Sequence, residues 1–373
     1  MSLSRRSLLG ALAVAVPSFA LSGCATPAPD RAADIGMPGD LLPERVRMVI
    51  PYAEGGGTDV WARFLAPRLT DAMEVPCRIL PDNLPGGESI IGSNRYAREN
   101  VSDGSSFLIT SGTTHYQYML GRPEVEFDFA AMRPLLVNAG GGVIYGSAEA
   151  GVRGIDDLFS GNTRLRYGGI SATGLDLTAL LAFDVLKLDV TTVFGLEGRG
   201  PARLAVERGE LNIDYQTSSA YKTQIVPLAE QGRATPLMSF GQLESDGSVS
   251  TDPALSDLPT VREVYRDAYG EDPSGPAWDA YRAFLGAGVT YQKGMWITAE
   301  TPDSVVQPFF DATRRLQQDE AFQEESAKVL GGYPIYAGDE VDEVRSVLTL
   351  SPEVRAYVLD LLATRHRTVI RGA

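Results

Sequence analysis

The sequence predicts an α/β protein of two lobes, each a mixed sheet flanked by helices, with a ligand cleft between the lobes. Three features support this fold class. A strand, a glycine turn and a helix follow one another at 46–69. The same order of elements recurs at 165–186, and a strand at 294–298 leads back to the first unit. Because ligands bind beyond the carboxyl ends of strands in such sheets, two units of this kind predict a cleft lined by both.

The first unit has the strongest pattern. Alternating apolar residues between Val46 and Ile50 predict a half-buried strand, and Pro51 ends it because proline has no amide hydrogen to donate. Gly55-Gly56-Gly57 permit backbone angles that a Cβ would exclude, and Thr58 is placed to cap the next helix. The open amides of a helix N-terminus favour a carboxylate or phosphate. A plain tight turn between strand and helix explains the same residues equally well.

Two further features belong to the first lobe. A strand at 107–110 ends at Ser111-Gly112-Thr113, where hydroxyls and backbone amides meet a second strand end. His115 follows, and a lone histidine in a loop is more often structural than a ligand contact. Pro67 falls inside the first predicted helix, so either that helix kinks or it ends earlier than its apolar pattern indicates.

The second lobe repeats the layout. A strand that ends at Gly168-Gly169 is followed by Ser171 and Thr173, which are predicted to cap a helix. Thr173 and Asp176 have the spacing of a capping box. After the next strand a glycine segment precedes another helix, and the strand at 211–216 points its far end towards the cleft. Two helix N-termini would then face one ligand from opposite lobes.

The first 42 residues predict targeting rather than fold. Ser4-Arg5-Arg6-Ser7-Leu8-Leu9 resembles a twin-arginine (Tat) export signal, and the apolar run at 8–21 is short for a membrane span. Leu21-Ser22-Gly23-Cys24 matches the bacterial lipobox, so we expect a signal peptide at 1–23 and a lipidated Cys24. The alternative is ordinary cleavage nearby, with Cys24 incidental. The segment at 24–42, rich in Pro, Ala and Asp, predicts a flexible tether.

These boundaries divide the rest of the chain. The first lobe is predicted to comprise 43–143 plus 294–373, and the second lobe 144–293. The expected location is the periplasm, as a membrane-anchored lipoprotein, and we expect a monomer.

Charge and composition exclude several classes. The formal charge of −15 becomes −17 without residues 1–23, which contain Arg5 and Arg6 and no acid. This argues against nucleic-acid binding, which needs basic residues, but not against an anion held by backbone amides. Cys77 has no second mature thiol for an internal disulfide, and the chain has only two histidines. No catalytic signature such as Gly-x-Ser-x-Gly or a phosphate-binding loop is present, so we expect no catalytic residues, no metal and no cofactor.

One family is similar along most of the chain. Pro51-Tyr52-Ala53-Glu54-Gly55-Gly56-Gly57-Thr58-Asp59 resembles the opening Pro-[Tyr/Phe]-x-x-Gly-Gly-x-x-Asp motif of the substrate-binding proteins of tripartite tricarboxylate transporters, also called Bug-type periplasmic receptors. The next block resembles the family's Asn-x-Pro-Gly-Ala-Gly turn, and later blocks resemble its other segments in order. These blocks are Asp82-Asn83-Leu84-Pro85-Gly86-Gly87, Asp103-Gly104-Ser105-Ser106-Phe107-Leu108-Ile109-Thr110-Ser111-Gly112-Thr113, Tyr167-Gly168-Gly169-Ile170-Ser171-Ala172-Thr173-Gly174, Leu258-Pro259-Thr260-Val261-Arg262-Glu263 and Thr301-Pro302-Asp303-Ser304-Val305-Val306. The match covers about residues 46–347. The occurrence of all these blocks in the family's order is more specific for the family than any single block.

The resemblance implies a two-lobed periplasmic binding fold (type II-like) and a receptor that passes a small di- or tricarboxylate to membrane carrier subunits. It also indicates which residues hold the ligand, with the second lobe closing over the ligand by hinge motion. The expected site consists of Tyr52, Gly56, Gly57, Thr58, Asp59, Ser111, Gly112, Thr113, Ser171, Ala172, Thr173, Gly174, Gly198 and Gln216. Within this set, Asp59 is expected to orient the loop or a water molecule, because two anions repel.

Departures from the family pattern leave alternatives open. Glu54 stands where the family more often has proline, and Gln216 rather than an acid ends its strand. If Glu54 faces the cleft, it would suit an amine-bearing or hydroxylated ligand or a bridging cation; facing solvent, it would carry no meaning for the ligand. The function alternatives are a ligand-presenting component of a sensor, a receptor for an amine-bearing or neutral solute, a receptor for another importer class, and an enzyme on the same fold.

Overall fold

The computed structural model describes residues 42–341 and 344–372. The strands are β1 (Arg45–Ile50), β2 (Arg78–Asn83), β3 (Ser106–Ser111), β4 (Met132–Asn138), β5 (Gly142–Ser147), β6 (Leu165–Gly168), β7 (Val190–Val193), β8 (Ile213–Thr217), β9 (Ala234–Ser239), β10 (Gln242–Leu243), β11 (Val249–Ser250), β12 (Lys293–Thr298) and β13 (Ile335–Tyr336).

The helices cover both lobes and the segments between them. They are α1 (Gly57–Ala72), α2 (Ile90–Glu99), α3 (Gly112–Met119), α4 (Asp156–Phe159), α5 (Asp176–Val185), α6 (Arg199–Glu207), α7 (Ser218–Ala220), α8 (Val226–Glu230), α9 (Val261–Tyr269), α10 (Pro276–Leu285), α11 (Asp303–Gln318), α12 (Glu320–Val329), α13 (Val344–Val347) and α14 (Pro352–His366).

The first lobe is built on a six-stranded sheet in the order β13-β4-β12-β3-β1-β2. β1 pairs in parallel with β2 and β3, whereas β12 runs antiparallel to β3 and β4. Helix α1 covers one face of this sheet, where Trp61 and Leu65 are buried against Met295 and Ile297 of β12. The carboxyl ends of β1 and β3 therefore lie at the same edge as the first residue of β12.

The second lobe contains a five-stranded sheet in the order β7-β6-β8-β5-β9. β6 pairs in parallel with β7 and β8, and β5 pairs antiparallel with β8 and β9. Each lobe thus has a mixed sheet flanked by helices, which confirms the predicted α/β fold class. The strand predicted to return to the first lobe is β12, and it lies at the centre of the first sheet.

Both helix starts differ from the predicted caps. Helix α1 begins at Gly57 with Gly56 as its N-cap and no side-chain cap, so the prediction of Thr58 as the cap was wrong. Helix α5 begins at Asp176, so Ser171 and Thr173 do not cap it either. Helix α1 begins two residues before the start that a Thr58 cap implies, whereas α5 begins two residues after the start that a Thr173 cap implies. Pro67 lies within a continuous α1, so packing of the buried face of the helix outweighs the lost amide hydrogen bond and the ring clash that proline causes.

The C-terminal part returns to the second lobe. The sequence predicts that the whole of 294–373 lies in the first lobe. Tyr357 of α14, however, donates a hydrogen bond to Asp184 of α5. Arg355 of the same helix donates to the backbone oxygen of Leu120, 3.1 Å away. Ser351 caps α14 by accepting from the Val354 amide at 3.2 Å. Helix α14 therefore contacts both lobes.

The predicted signal peptide at 1–23, the predicted lipidated Cys24 and the predicted tether lie outside the described residues, apart from Leu42. Within the described ranges, no helix combines the length and apolar character needed to cross a membrane.

Candidate ligand-binding cleft

The glycine turn at the end of β1 is held by Asp59. The Asp59 carboxylate accepts from the amide of Gly55 at 2.8 Å, from Asn83 Nδ2 at 2.8 Å and from Arg63 Nε at 2.9 Å. Burial opposes ionisation of Asp59, but these bonds outweigh it and lower the pKa of its carboxyl group. Asp59 is therefore fully engaged in shaping the turn, which fits an orienting residue rather than a ligand contact.

The turn exposes backbone rather than side chains. Gly55, Gly56 and Gly57 are exposed, and Gly55 has a φ of +76°, which a residue with a Cβ rarely adopts. The first amides of α1 have no acceptor within the helix, so this end is a favourable place for an anion. Glu54 points to solvent, with its side chain 80% exposed and 3.9 Å from Arg63. The hypothesis that Glu54 faces the ligand is therefore not supported.

A cluster of hydroxyl groups joins the glycine turn to α3. The Tyr52 hydroxyl lies 2.6 Å from Ser111 Oγ and 2.6 Å from Thr114 Oγ1. Ser111 and Thr114 form a capping box at the start of α3, and Ser89 donates to Thr114 Oγ1 at 3.0 Å. Burial raises the pKa of Tyr52, so its phenol stays neutral and can donate. These contacts fix the N-terminus of α3 next to that of α1.

The predicted loops of the two lobes meet. Thr113 Oγ1 accepts from the amide of Leu175 at 3.3 Å, and Gln117 Nε2 donates to the backbone oxygen of Thr173 at 2.9 Å. Ser111-Gly112-Thr113 and the loop at 171–174 therefore lie against each other across the lobes. Gly112, Ala172, Thr173 and Gly174 are buried in this contact.

A tyrosine deepens the contact between the lobes. The Tyr116 hydroxyl donates to the backbone oxygen of Phe284 at 2.6 Å and lies 2.6 Å from Thr178 Oγ1. Its ring packs edge-on against Phe284 with the centroids 4.7 Å apart. Helix α3 belongs by sequence to the first lobe, yet it forms part of the core of the second.

A largely buried arginine, with 15% of its side chain exposed, organises the second-lobe loop. Arg199, the first residue of α6, pairs with Asp214 at 2.8 Å and with Asp176 at 3.0 Å, and donates to the backbone oxygen of Gly168 at 3.0 Å. Its guanidinium also lies over the Tyr215 ring, 4.7 Å from the centroid. Asp176 accepts from the amide of Ile170 at 2.9 Å, so it holds the loop instead of completing the predicted capping box.

Two predicted site residues lie beside this arginine. Gly198 is the N-cap of α6, with a φ of +138° that favours glycine. Gln216 is 3% exposed, and its amide nitrogen donates to Asp214 Oδ2 and to the backbone oxygen of Arg199, both at 3.1 Å. Both residues thus support the start of α6, and the amide nitrogen of Gln216 already has partners within the lobe. Burial raises the pKa of Asp214 to about 6, although Arg199 opposes this shift.

Sequence reasoning missed Glu88, which bridges the lobes. Its Oε2 accepts from Thr173 Oγ1 at 2.8 Å and from Arg122 Nη1 at 3.0 Å. Its Oε1 is buried and has no hydrogen-bond partner among the described residues. Glu88 also has a φ of +54°, the left-handed region that side chains other than glycine enter at a cost of about 1–2 kcal/mol. The family's Asn-x-Pro-Gly-Ala-Gly turn, begun at Asn83, ends at this position with glycine, and that mismatch was the available signal.

His115 is structural. It is 1% exposed, with Nε2 2.9 Å from Thr110 Oγ1 and Nδ1 2.8 Å from the backbone oxygen of Ala287. Because Nδ1 faces a carbonyl, it must carry the hydrogen, and Nε2 accepts from Thr110. Among the described residues, no group of three or more His, Cys, Asp or Glu side chains is arranged to hold a metal ion.

Comparison with known proteins relates the chain to one group. No protein-family profile matches it. A UPF0065 protein of Bordetella pertussis is 25% identical over 295 residues, which cover 76% of this chain and 80% of the relative. The periplasmic binding protein BugD has the same fold, with a TM-score of 0.57, 20% identity, and coverage of 87% of this chain and 96% of BugD. The chain is therefore similar to Bug-type solute-binding proteins in sequence and in fold.

Two further structures share this Bug-type fold. Rpa4515 of Rhodopseudomonas palustris, solved with adipate, gives a TM-score of 0.61 at 22% identity over 87% of this chain and 98% of its own. MatC from Rhodopseudomonas palustris, solved with bound malate, gives a TM-score of 0.57 at 18% identity. The match covers 87% of this chain and 99% of MatC. These two structures confirm the predicted two-lobed periplasmic binding fold.

Proposed function

We propose that this protein is a Bug-type extracytoplasmic receptor that captures a small carboxylate, a di- or tricarboxylate or related organic acid, for a tripartite tricarboxylate-type transporter. The observation that carries the proposal is the contact of the α3 N-terminus of the first lobe, which Tyr52 ties to the glycine turn, with the loop at 171–174 of the second. Adipate and malate, bound by two proteins of the same fold, are small dicarboxylates.

The two lobes have separate roles in this proposal. The first lobe offers backbone amides at Gly56, Gly57 and Thr58, fixed by Asp59, and these suit a carboxylate because the helix dipole favours negative charge. The second lobe offers Ser171 and Thr173, whose loop is anchored by Asp176. Closure of that loop over the ligand would exclude water and strengthen each polar contact.

Location and partners follow the same proposal. A signal peptide at 1–23 and a lipid on Cys24 would place the domain in the periplasm at a membrane surface. The partners would be the carboxylate and the membrane carrier subunits, which would receive the ligand from the receptor, itself a monomer.

Carboxylates should stabilise the purified protein against heat. A ligand present at about 100 times its Kd adds about 2.7 kcal/mol to the free energy of unfolding, which a melting experiment detects readily. We would test malate, adipate, citrate, neutral sugars and amino acids. Thr58→Phe should abolish the shift by filling the cleft, and Thr173→Phe should abolish it by breaking the contact between the lobes. The exposed Thr349→Phe is the matched control and should leave it unchanged. A shift only with sugars would contradict the proposed ligand class.

Glu88 favours a second candidate, a carboxylate that also bears an amine. Its buried Oε1 lacks a donor, and the strained backbone holds the acid between the lobes. A ligand ammonium would supply that donor and offset the desolvation of the carboxylate. Such a ligand would use the same helix N-termini for its carboxylates.

Glu88→Gln separates the two candidates, because glutamine keeps the shape and removes the charge. If the ligand bears an amine, binding of aspartate should weaken by roughly ten- to a hundredfold, as for a lost hydrogen bond to a charged group, while malate binding is retained. Glu124→Gln is the control, since Glu124 also contacts Arg122, at 3.3 Å, but has a 57% exposed side chain. Equal weakening of aspartate and malate would rule out the amine, and calorimetric titration measures both.

A further inference from the structure

Lys293 lies in a row of side chains at the edge of the first sheet that faces the cleft. It is the first residue of β12 and pairs with Ser111 of β3 on one side and Asn138 of β4 on the other. Residues directly opposite each other on paired strands project from the same face, with Cβ atoms about 4.5–5.5 Å apart. Ser111, Lys293 and Asn138 therefore form one row across three strands.

The row lies on the face covered by α1. Side chains alternate along a strand, so Lys293 shares its face with Met295 and Ile297, which are buried with residues of α1. Trp61 Nε1 donates to Asn138 Oδ1 at 3.0 Å, and Tyr52 lies 2.6 Å from Ser111 Oγ. Both neighbours of Lys293 are thus contacted by residues of the β1–α1 unit. The lysine between them therefore lies on the α1 face of the sheet, at the edge where β1 and β3 end.

The Lys293 ammonium has no partner. Among the described residues, no hydrogen bond or ion pair involves it, although the residue is only partly exposed. Burial lowers the pKa of this amine to about 8. Unpaired amines in such places cost stability, because the charged form loses its hydration without a compensating anion.

The ionisable groups on the surrounding elements are engaged elsewhere. The carboxylate of Asp59 is taken by Gly55, Arg63 and Asn83, and the Tyr52 hydroxyl contacts Ser111 and Thr114. Tyr333, whose backbone oxygen accepts from Asn138, directs its hydroxyl to Asp252 and Ser218. An anion for Lys293 must then come from solution.

We propose that Lys293 binds one carboxylate of the ligand at the base of the cleft, directly beneath the glycine turn. The inference rests on the proposed function for the class of ligand. It adds a residue that selects a negatively charged ligand over a neutral one. The N-terminus of α1 favours the same negative group from above. A dicarboxylate would then place one end on Lys293 and the other towards the second lobe, whereas a neutral solute would leave the lysine unpaired.

The proposal predicts opposite effects of Lys293→Met on stability and binding. Removing an unpaired, partly buried cation should raise the melting temperature of the ligand-free protein. The same change should weaken adipate or malate binding by roughly ten- to a hundredfold, the effect of losing a charged hydrogen-bond partner. A lysine with a purely structural role would lower the melting temperature on removal and leave ligand affinity unchanged.

The experiment is calorimetric titration of the full chain with malate, adipate and citrate, in buffers of different ionisation enthalpy. With a Lys293 pKa of about 8, the unsubstituted protein should take up about half a proton on binding near pH 8 and almost none near pH 6. Lys293→Met should show no uptake. Lys293→Arg should bind without uptake, because arginine stays charged. Lys328→Met, which removes an exposed lysine from the last turn of α12, is the charge-matched control.

The outcomes separate the inference from the proposed function. Undiminished binding by Lys293→Met, with the proton uptake retained, would overturn the role of Lys293 and leave the carboxylate receptor intact. Absence of binding of all three acids by the unsubstituted protein would overturn the proposed function and this inference with it. Weakened binding and lost uptake in Lys293→Met, with Lys328→Met unchanged, would establish the site.

Discussion

Replacing Arg199 with methionine should lower the free energy of unfolding by about 3–5 kcal/mol near neutral pH, because it leaves buried charges without a partner. Asp176 and Asp214 are 2% and 0% exposed, and Arg199 is the basic residue within 3.0 Å of both. Methionine fills similar space, so most of the loss should come from the two carboxylates rather than from a cavity. Urea denaturation measures the change.

The pH dependence distinguishes this mechanism from simple loss of packing. The pKa of Asp214 is raised to about 6 from 3.8, so the folded state binds a proton more readily than the unfolded state. The stability cost of the ionised carboxylate is therefore absent below about pH 4 and fully present above about pH 6. Without Arg199 that cost should be larger, so the defect of Arg199→Met should be smaller near pH 5 than near pH 7.5.

Arg203→Met on the same helix is the matched control. Arg203 pairs with Glu207, one turn along α6, with both side chains partly exposed. Loss of such a pair typically costs no more than about 1 kcal/mol. A defect of similar size in both variants, or one that does not change with pH, would show that Arg199 does not act by neutralising the buried acids.

The unit of strand, glycine turn and helix was predictable from local pattern, because apolar alternation and three glycines act over adjacent residues. Its exact helix start was not. Thr58 has the residue type of a cap, yet Asp59 folds back onto the amide of Gly55 and moves the cap to Gly56. The bond from the Gly55 amide to the Asp59 carboxylate, four residues further along the chain, competes with a cap by the Thr58 side chain. The sequence alone does not show which of these two interactions is stronger.

The missed residues share a different cause. Arg199, Glu88 and Lys293 gain their roles from partners far along the chain: Arg199 from Asp176 and Asp214, Glu88 from Thr173, and Lys293 from the pairing of β12 with β3 and β4. Each role depends on strand register or lobe contact, which a single sequence does not encode locally. The loops were identified from their glycines and hydroxyls, whereas the charges that support them were not.

His115 should make the protein less stable as the pH falls from about 6.5 to about 4. Burial lowers the pKa of His115 from 6.5 to about 4, a shift that its hydrogen bond to Ala287 only partly opposes. Above pH 6.5 the imidazole is neutral in both states and has no effect on the pH dependence. Below that pH the unfolded chain binds a proton that the folded chain does not, so stability is lost. The full difference corresponds to about 3 kcal/mol.

His115→Asn removes the titrating group while keeping a donor near Ala287. We would measure the free energy of unfolding by urea denaturation between pH 7 and pH 4 for both proteins. The difference between them is the useful quantity, because shared groups cancel, including Asp214, whose raised pKa acts in the opposite direction. The stability advantage of the unsubstituted protein should shrink by about 3 kcal/mol over this range. The chain's other histidine, His366, is less buried, and His366→Asn should change the slope less. Parallel curves for His115→Asn and the unsubstituted protein would show that His115 takes up its proton without unfolding, with Thr110 turning its hydroxyl to accept from the imidazolium.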